Sequence, residues 1–366
     1  MKKKYNNLMK KCIRLALKGI GKTLPNPMVG AYVLDEDDNI VGYGYHKHCG
    51  GNHAEVEAIN MAGEKAKNGT LIVNLEPCSH FGKTPPCADL IIKTGLKKVV
   101  IGMLDPNPIV AGNGVKKLKN AGIEVVKDVL KEKCELLNAT FIKNMKEQKV
   151  FVAIKTATTL DGKIATSNNS SKWITSPKSR KIVQKIRNSY DAILTSSNTI
   201  INDNPHLNCR VKGYKSPVRV VLDSNLRTTK DHNVYIDDNI QVYLFTLNDN
   251  IQNLGFNKNV RIVKAPCDET QKHIDLEFVL DFLYKEGIRN VLVEAGGTLN
   301  GAFIKENLCD KLYHFIAPKI IGDNKARSCF DGQNVFNINS AKVLSIKETK
   351  FINPDFLLIA FFEKIS

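Results

Sequence analysis

The chain has 366 residues and a formal charge of +16, with 43% hydrophobic and 25% charged residues. This length exceeds the size at which one hydrophobic core keeps growing, so two domains are expected. The composition excludes a long disordered chain, and the longest strongly apolar run, Phe356 to Phe362, is too short to cross a bilayer. The sequence therefore predicts a soluble protein without a membrane partner, in which this run forms a buried strand.

The spacing of the cysteines and the positive charge limit which cellular compartment and which binding partners are expected. Nine cysteines show no dense disulfide spacing, and no secretory signal follows the basic start Met1 to Lys4, so we expect a cytoplasmic protein with reduced thiols. The lysines are spread over the whole length without an arginine-rich block, a distribution that does not favour a nucleic-acid surface. No nucleic-acid partner is expected, because a basic surface equally attracts small phosphorylated molecules.

The first part of the chain alternates helix and strand. Apolar residues recur at helical spacing over Leu8–Ala16, and β-rich runs follow at Val29–Leu34, Thr70–Leu75 and Lys98–Met103, each separated by a helix-like segment. The series closes near Glu124–Lys127 and a last helix. This alternation is typical of a layered α/β domain.

A polar stretch at residues 146–149 ends this series and opens a second one. We place the boundary there, so that residues 1–147 form the first domain and residues 148–366 the second. Strands are predicted in the second domain at Phe151–Ala157, Ala192–Thr195, Val218–Leu222, Gln241–Phe245, Asn290–Val293, Lys311–Ile316 and Leu357–Phe362. Helices are predicted at Ser176–Asn188, Leu276–Glu286 and Gly297–Glu306.

Three short motifs in the first domain supply metal-binding side chains: His-Ala-Glu at 53–55, Glu-Pro-Cys at 76–78 and Pro-Pro-Cys at 85–87. A zinc ion that activates water needs three protein ligands and one open position, and imidazole and thiolate suit it. His53, Cys78 and Cys87 are the predicted ligands, and Glu55 is the predicted catalytic proton shuttle. This pattern is that of the zinc-dependent nucleobase deaminases.

Two other interpretations of these residues stay open. A lone histidine before a helix is usually a surface or cap residue, and lone cysteines are usually small core residues. A closed structural zinc site would need a fourth ligand, which Cys49 or His80 could supply. The conjunction of three motifs at the ends of predicted elements favours the catalytic site.

The likeness to a known family is carried by Pro-Asn-Pro-Met-Val-Gly at 25–30, by residues 53–55 and 76–87, and by Asp-Pro-Asn-Pro at 105–108. In these motifs the sequence closely resembles the bifunctional diaminohydroxyphosphoribosylaminopyrimidine deaminase and 5-amino-6-(5-phosphoribosylamino)uracil reductase family of riboflavin biosynthesis. The resemblance implies an N-terminal cytidine-deaminase-like three-layer α/β domain and a C-terminal dihydrofolate-reductase-like α/β domain. It also implies Zn²⁺ and NADPH as cofactors.

The spacing of the two cysteines discriminates within the deaminases. Nucleic-acid and free-nucleoside deaminases generally carry them two residues apart, whereas eight residues intervene here, as in the riboflavin family. His80 and Lys83 in this insert are donors that would hold a ribose phosphate, although a solvated loop has the same composition. The resemblance implies that Asn26 hydrogen-bonds the pyrimidine, so that Asn26, His80 and Lys83 are the predicted substrate-binding residues.

The second domain has no G-x-G-x-x-G after its first strand, so a Rossmann dinucleotide fold is not supported. Instead, the strand at residues 291–293 leads through Gly296 and Gly297 into a helix, whose free N–H groups can receive a pyrophosphate. A glycine pair at such a turn is also common in tight packing.

Short motifs of the second domain match the reductase of the same family in type and order. The resemblance implies that the NADPH site is lined by Ala157, Trp173, Thr199, Asp203, Ser224, Gly296, Gly297, Thr298 and Leu299. It implies that the ribosylamino substrate is bound by Lys155, Ser171, Arg187, Leu207, Arg210 and Glu294. Arg187 and Arg210 suit a phosphate, because guanidinium binds it with paired donors. Without the resemblance, Arg187 would be interpreted as a surface residue and Trp173 as a core residue.

The implied activity is two reactions in sequence, a hydrolase step and an oxidoreductase step. The first is zinc-dependent deamination of 2,5-diamino-6-(5-phosphoribosylamino)pyrimidin-4(3H)-one to 5-amino-6-(5-phosphoribosylamino)uracil, and the second is NADPH-dependent reduction of the ribosyl group to ribityl. A tRNA or DNA base deaminase is opposed by the cysteine spacing and by the reductase half, and a zinc-stabilised binding protein would leave Glu55 without a role. We expect a homo-oligomer, a dimer or a tetramer.

Overall fold

The structure is a computed structural model that describes residues 2–80, 85–107, 111–251, 254–332, 335 and 337–363. The chain divides into two compact units, Met1–Gln148 and Lys149–Ser366. Across the described ranges, no helix has both the length and the apolar character that a membrane span requires.

The first unit is a three-layer α/β structure. Its elements in chain order are α1 (Lys2–Ala16), β1 (Gly30–Leu34), β2 (Ile40–Tyr45), α2 (Ala54–Ala62), β3 (Thr70–Leu75), α3 (Cys87–Thr94), β4 (Lys98–Met103), α4 (Asn113–Asn120), β5 (Glu124–Val126), α5 (Lys131–Leu137) and α6 (Ala139–Glu147). The sheet order is β2-β1-β3-β4-β5. Strands β3, β4 and β5 are parallel, and β1 is antiparallel to both of its neighbours.

Helices cover both faces of this sheet. Helix α1 packs on β1 and β3 and α2 on β1 and β2, from opposite sides, and α1 closes the core with the buried residues Met9 and Cys12. The predicted strands β1, β3 and β4 are confirmed by the structure. Strand β2 was not predicted, because Gly42 and Gly44 interrupt its apolar alternation.

Gly42 and Gly44 of β2 allow α2 to pack closely against the strand. A Cβ atom at Gly44 would lie 2.6 Å from the carbonyl oxygen of Ala54, and one at Gly42 would lie 2.2 Å from that of Ala58. Real side chains do not approach backbone so closely, so glycine is required on this face of β2. The close approach fixes the position of α2 on the sheet.

The second unit contains a larger, mixed sheet. Its elements are β6 (Phe151–Thr159), β7 (Lys163–Ala165), α7 (Pro177–Arg187), β8 (Ala192–Ser196), α8 (Ser197–Asp203), β9 (Val218–Leu222), α9 (Asn233–Ile236), β10 (Val242–Thr246), β11 (Val260–Lys264), α10 (Leu276–Lys285), β12 (Asn290–Val293), α11 (Gly297–Lys305), β13 (Lys311–Ala317), β14 (Arg327–Ser328), β15 (Leu344–Ile352) and β16 (Asp355–Phe362). The nine-stranded sheet has the order β11-β10-β9-β8-β12-β6-β13-β16-β15.

Seven of these strands, from β11 to β13 in the sheet order, are parallel, and β16 and β15 are antiparallel additions at one edge. Helices α10 and α11 bury Leu283 and Phe303 against one face of the sheet. Side-chain N-caps begin two helices: Ser176 accepts the N–H of Ser179 in α7, and Asp275 accepts that of Phe278 in α10.

The apolar run at residues 356–362 forms the predicted strand, but the prediction that it is buried is wrong in part. Strand β16 lies second from the edge, where Leu357 is buried and Phe356 is 52% exposed. Ala360 is also buried, and the other four side chains of the run are part-buried.

Candidate active sites

The side chains of His53, Cys78 and Cys87 meet at one point of the first unit. His53 Nδ1 lies 3.2 Å from Cys87 Sγ and 3.6 Å from Cys78 Sγ. Tetrahedral bonds of about 2.0–2.3 Å place neighbouring zinc ligands roughly 3.3–3.8 Å apart, so the three donors fit zinc in chemical identity and in spacing. Among the described residues, no other group of three or more His, Cys, Asp or Glu side chains is arranged to hold a metal.

Two of these three side chains are placed by helix N-termini. His53 is the N-cap of α2, and Cys87 is the first residue of α3. The backbone N–H of Cys87 donates to Cys78 Sγ over 3.2 Å. Free N–H groups at the start of a helix favour a thiolate, so the local fold favours an anionic sulfur at Cys78.

The contacts within the cluster set its charge states. The contact with Cys87 lowers the pKa of the Cys78 thiol to about 4, and the hydrogen bond with Cys78 raises the pKa of His53 to about 8. Its hydrogen bond with Cys78 and its burial raise the pKa of the Cys87 thiol. These contacts favour an anionic sulfur at Cys78, and a metal dication would favour thiolates at both cysteines.

Glu55 lies beside this cluster, in the first turn of α2. Its side chain is buried, with 4% of the residue exposed, and burial raises the pKa of the carboxyl group to about 7. A carboxyl group with a pKa near neutrality can both accept and return a proton at working pH.

The loop that carries Asn26 is held by two buried asparagine side chains. Asn138 accepts the N–H of Met28 over 2.8 Å and donates to its carbonyl over 3.1 Å. Asn74 donates to the same carbonyl over 3.0 Å and accepts the N–H of Gly30 over 2.7 Å. Sequence reasoning assigned no role to Asn74 or Asn138, because neither lies in a motif.

Two further polar residues support the site and were also missed. His46 is 3% exposed, its Nε2 lies 3.2 Å from Asn26 Nδ2, and its burial lowers the pKa of the imidazole. Glu76, quoted in the motif but given no role, accepts the backbone N–H groups of Asp105, Gly112 and Val115. Glu76 therefore ties the segment after β4 to the segment that leads to Cys78.

The structure says less about the other candidate residues of the first site. His80 is exposed, and Lys83 lies outside the described residues. Cys49, considered as a fourth ligand, is exposed, and neither it nor His80 belongs to the metal-binding group found among the described residues.

The predicted reductase residues gather at the carboxyl ends of neighbouring parallel strands. Lys155 and Ala157 lie on β6, Glu294 follows β12, and Ser224 follows β9, while α8, after β8, carries Thr199 and Asp203. Strand β12 joins the sheet between β6 and β8 although it comes later in the chain. In open α/β sheets, ligands bind at such a change of strand order, outside the carboxyl ends.

Glu294 is the centre of a buried ionic cluster. Arg187 donates to both of its oxygens, with Nε over 2.7 Å and Nη2 over 3.0 Å, and Lys155 Nζ lies 2.9 Å from Oε2. Burial opposes ionisation, but the two cations outweigh it and hold the pKa of Glu294 at about 2. Arg187 Nη1 also donates to the carbonyl of Asn208, so three of the five N–H donors of this guanidinium are engaged within the protein.

The other predicted residues of the second unit differ in exposure and in contacts. Ser171 donates to Asp203 over 3.0 Å, which joins a predicted substrate residue to a predicted cofactor residue. Trp173 is 60% exposed and stacks under Arg180, whose guanidinium carbon lies 4.4 Å from the ring centroid, so it is not a core residue. Leu207 is buried, Leu299 is part-buried, and Arg210 and Thr298 are exposed.

The glycine pair before α11 serves two purposes. Gly296 is the N-cap of α11, and a Cβ atom there would meet open space. A Cβ atom at Gly297 would lie 2.4 Å from the carbonyl oxygen of Ser328 and from Asp331 Oδ2. Gly297 is thus required for packing, whereas Gly296 leaves the helix N-terminus accessible.

Together, the fold and the two clusters define the class of protein: a zinc-binding deaminase unit followed by a reductase unit. Comparison with known proteins narrows the class. The model for the cytidine and deoxycytidylate deaminase zinc-binding region matches residues 2–103, and that for the RibD C-terminal domain matches residues 150–357. The chain is 41% identical over 360 residues to the riboflavin biosynthesis protein RibD of Bacillus amyloliquefaciens, covering 96% of this chain and 95% of that protein.

Solved structures agree over the full length. The diaminohydroxyphosphoribosylaminopyrimidine deaminase/5-amino-6-(5-phosphoribosylamino)uracil reductase of Thermotoga maritima is 38% identical, with a TM-score of 0.85 over 98% of both chains. RibD of Acinetobacter baumannii is 33% identical, with a TM-score of 0.85 over 100% of both chains. The chain belongs to the RibD family of bifunctional deaminase/reductase enzymes of riboflavin biosynthesis. Its cofactors are zinc for the deaminase and NADPH for the reductase.

Proposed function

We propose that residues 1–147 are the deaminase domain, in which His53, Cys78 and Cys87 hold zinc and Glu55 is the catalytic residue. The observation that carries this proposal is the convergence of one imidazole and two sulfurs beside a buried carboxyl group. Three protein ligands leave one coordination position for solvent, as catalytic zinc sites require. The pyrimidine substrate would be the phosphoribosylamino diaminopyrimidinone, by analogy with the printed activity of the Thermotoga maritima relative.

In this site, zinc would supply a Lewis acid that brings the ionisation of a solvent molecule toward neutral pH. Glu55 accepts the proton of the attacking water at its carboxylate and returns it to the departing amine, which leaves as ammonia. The new C–O bond replaces the C–N bond, so no oxidant is needed. Asn26, His80 and Lys83 hold the substrate, with the amide of Asn26 toward the ring and the two basic groups toward the ribose phosphate.

We propose that residues 148–366 are the reductase domain, with a site at the carboxyl ends of the parallel strands. NADPH, when bound, supplies the hydride. Support for its place comes from the open N-terminus of α11 at Gly296 and from the Ser171–Asp203 hydrogen bond. The cofactor-binding residues are Ala157, Trp173, Thr199, Asp203, Ser224, Gly296, Gly297, Thr298 and Leu299.

In the reductase, Glu294 holds Lys155 and Arg187 in place, and Lys155 Nζ can donate hydrogen bonds to the ribosylamino group. Arg210 is exposed and has a free guanidinium fork among the described contacts, so we assign it the larger share of phosphate binding. The substrate-binding residues are Lys155, Ser171, Arg187, Leu207, Arg210 and Glu294.

The Glu55→Ala variant tests the deaminase proposal. It should retain zinc and lose deamination by about 10²–10⁴-fold, the usual contribution of a general acid–base group. Zinc content is measured by metal analysis, and ammonia release is measured with the diaminopyrimidinone phosphate as substrate. Reduction of the deaminated product with NADPH serves as control and should be unchanged; near-normal deamination by the variant would remove Glu55 from this role.

We further propose a cytoplasmic homo-oligomer, a dimer or a tetramer, that does not bind nucleic acid. Support for self-association comes from β15, an edge strand whose Ile346 and Phe351 are 58% and 65% exposed. An apolar groove lined in part by Leu312, Phe330 and Leu344 lies at the same edge of the sheet. Exposed edge strands with apolar side chains are commonly covered by pairing.

A further inference from the structure

His46 lies between two asparagines near the metal-binding cluster. It follows β2 directly, and its Nδ1 lies 3.0 Å from the carbonyl oxygen of Asn52, while its Nε2 lies 3.2 Å from Asn26 Nδ2. Its ring stands edge-to-face on that of His53, with centroids 5.8 Å apart. Asn26 is thus separated from a metal-binding side chain by a single imidazole.

The chemistry of the two partners fixes the hydrogen positions on this ring. A backbone carbonyl only accepts hydrogen bonds, so His46 Nδ1 must carry the hydrogen that points at Asn52. In the neutral imidazole, Nε2 is then an acceptor, and it accepts from the amide NH₂ of Asn26. Both contacts are hydrogen bonds in this arrangement.

The two alternative arrangements are less favourable. The opposite neutral tautomer would place the Nδ1 lone pair 3.0 Å from the carbonyl oxygen of Asn52, which sets two acceptors against each other. An imidazolium with a reversed Asn26 amide would satisfy both contacts, but it would place a positive charge on a ring that is 3% exposed.

The hydrogen-bonded series Asn52–His46–Asn26 is held in place at both ends. Asn52 donates its side-chain amide to Glu57 over 3.0 Å, and Glu57, in the first turn of α2, pairs with Lys47 over 2.6 Å. At the other end, the Asn74 and Asn138 side chains hold the loop of Asn26 through the backbone of Met28. The carbonyl that orients His46 is therefore tied to the same helix that carries Glu55.

We propose that His46 is a positioning residue that fixes the polarity of the Asn26 amide, so that Asn26 Oδ1 is the end presented to the pyrimidine. No hydrogen bond to that oxygen is formed within the part of the chain that the structure describes. An amide oxygen recognises N–H donors, and the reacting amidine edge of a 2-aminopyrimidin-4-one carries them at N3 and at the 2-amino group. The inference rests on the deaminase function proposed for the first unit. It adds that Asn26 is the acceptor in its hydrogen bond with the substrate.

The tautomer of His46 can be measured without turnover. We would record nitrogen NMR spectra of the zinc-loaded full-length chain labelled with ¹⁵N-histidine, and assign the His46 signals with the His46→Gln variant. The expected pattern is a protonated Nδ1 and an unprotonated, acceptor-type Nε2 at neutral pH. A protonated Nε2, in either the opposite tautomer or the imidazolium, would overturn the proposal.

Kinetics test whether His46 acts through Asn26. His46→Leu, which cannot accept a hydrogen bond, should lower kcat/KM for deamination by about 10- to 100-fold, the usual effect of one lost hydrogen bond that orients a ligand group. The same change in an Asn26→Ala background should have less than about a twofold further effect. His46→Gln, whose amide oxygen can accept, should recover part of the activity.

Zinc content and reduction of the deaminated product should be unchanged in all of these variants. An equal loss in both backgrounds, or a loss of zinc, would show that His46 merely supports the fold near His53 and would overturn the inference. Failure of the deaminase proposal has a different signature, since a Glu55→Ala enzyme that still deaminates would leave the nitrogen spectrum of His46 unaffected.

Discussion

One carboxylate, that of Glu294, neutralises two buried cations in the second unit. The side chains of Glu294, Arg187 and Lys155 are 7%, 12% and 17% exposed, so little solvent screens them. Lys155 follows four apolar residues of β6, where an ammonium group needs a partner. Its partner Glu294 follows β12, more than a hundred residues later in the chain, so the local pattern does not reveal the pair.

Glu294→Gln should lower the free energy of unfolding by about 3–5 kcal/mol, because it leaves two buried cations without a counter-charge. Since the folded-state pKa of about 2 lies below the ordinary value of 4.5, the carboxylate stabilises the fold above pH 4.5, and this contribution is lost as pH falls through about 2. The difference between wild type and variant should therefore shrink on acidification from pH 5 to 2.

Urea unfolding at a series of pH values measures this difference. Glu277→Gln is the matched control, because Glu277 is 65% exposed and pairs only loosely, at 3.8 Å, with Lys149; exposed pairs contribute little. A difference between wild type and Glu294→Gln that stayed constant across the pH range would contradict the assigned charge state.

At the scale of elements, the side chains of Asn74 and Asn138 hold the loop of Asn26 with hydrogen bonds like those of a neighbouring strand. Asn74 and Asn138 supply to Met28 and Gly30 the donors and acceptors that a neighbouring backbone would otherwise provide. Both asparagines are almost fully buried, at 0% and 2% exposure. The loop is therefore fixed before substrate binds, without belonging to the sheet.

Asn138→Ala should lower the free energy of unfolding by about 1–3 kcal/mol, because it leaves the part-buried N–H of Met28 without its acceptor. Deamination should fall further than stability alone explains, since Asn26 loses its fixed position. Chemical denaturation and the deamination assay test this expectation against Asn60→Ala, a change on the exposed face of α2. Equal behaviour of the two variants would count against the loop-fixing role.

The elements differ in how far the sequence predicts them, for physical reasons. Strands β3, β4 and β12 lie in the interior of their sheets and consist largely of consecutive apolar residues, so they were predicted. Strand β2 was missed because packing against α2 replaces its side chains by glycine, and β15 was missed because residues 344–352 are mostly exposed and carry no buried alternation. The metal cluster was predictable because its chemistry restricts residue type, whereas the roles of His46 and Glu76 depend on contacts with distant residues that residue type alone does not reveal.

At the scale of the whole molecule, the chain combines two sites in two compact units, and the larger sheet has an edge that carries exposed apolar side chains. Phe351 and Phe356 stack there with ring centroids 5.1 Å apart, and both are more than half exposed. Side chains of this size are seldom left paired only with each other. The edge is where we expect a second copy of the chain to bind.

Phe351→Lys should shift the oligomer toward the monomer, because it places a charge in the contact that we propose to be apolar. Molar mass from light scattering over a concentration series measures the shift. Lys350→Ala is the control, since consecutive residues of a strand point to opposite faces. An unchanged mass for Phe351→Lys would place the contact between copies elsewhere.

The contact between β2 and α2 has a consequence for how this enzyme can change. Gly42 and Gly44 contribute no atom to catalysis, yet any bulk there would displace the helix on which His53 and Glu55 are mounted. Substitution is therefore restricted at two positions of an edge strand that do not take part in the reaction. Mutant libraries designed to change the substrate specificity of the deaminase should keep both glycines and vary residues of the surrounding loops.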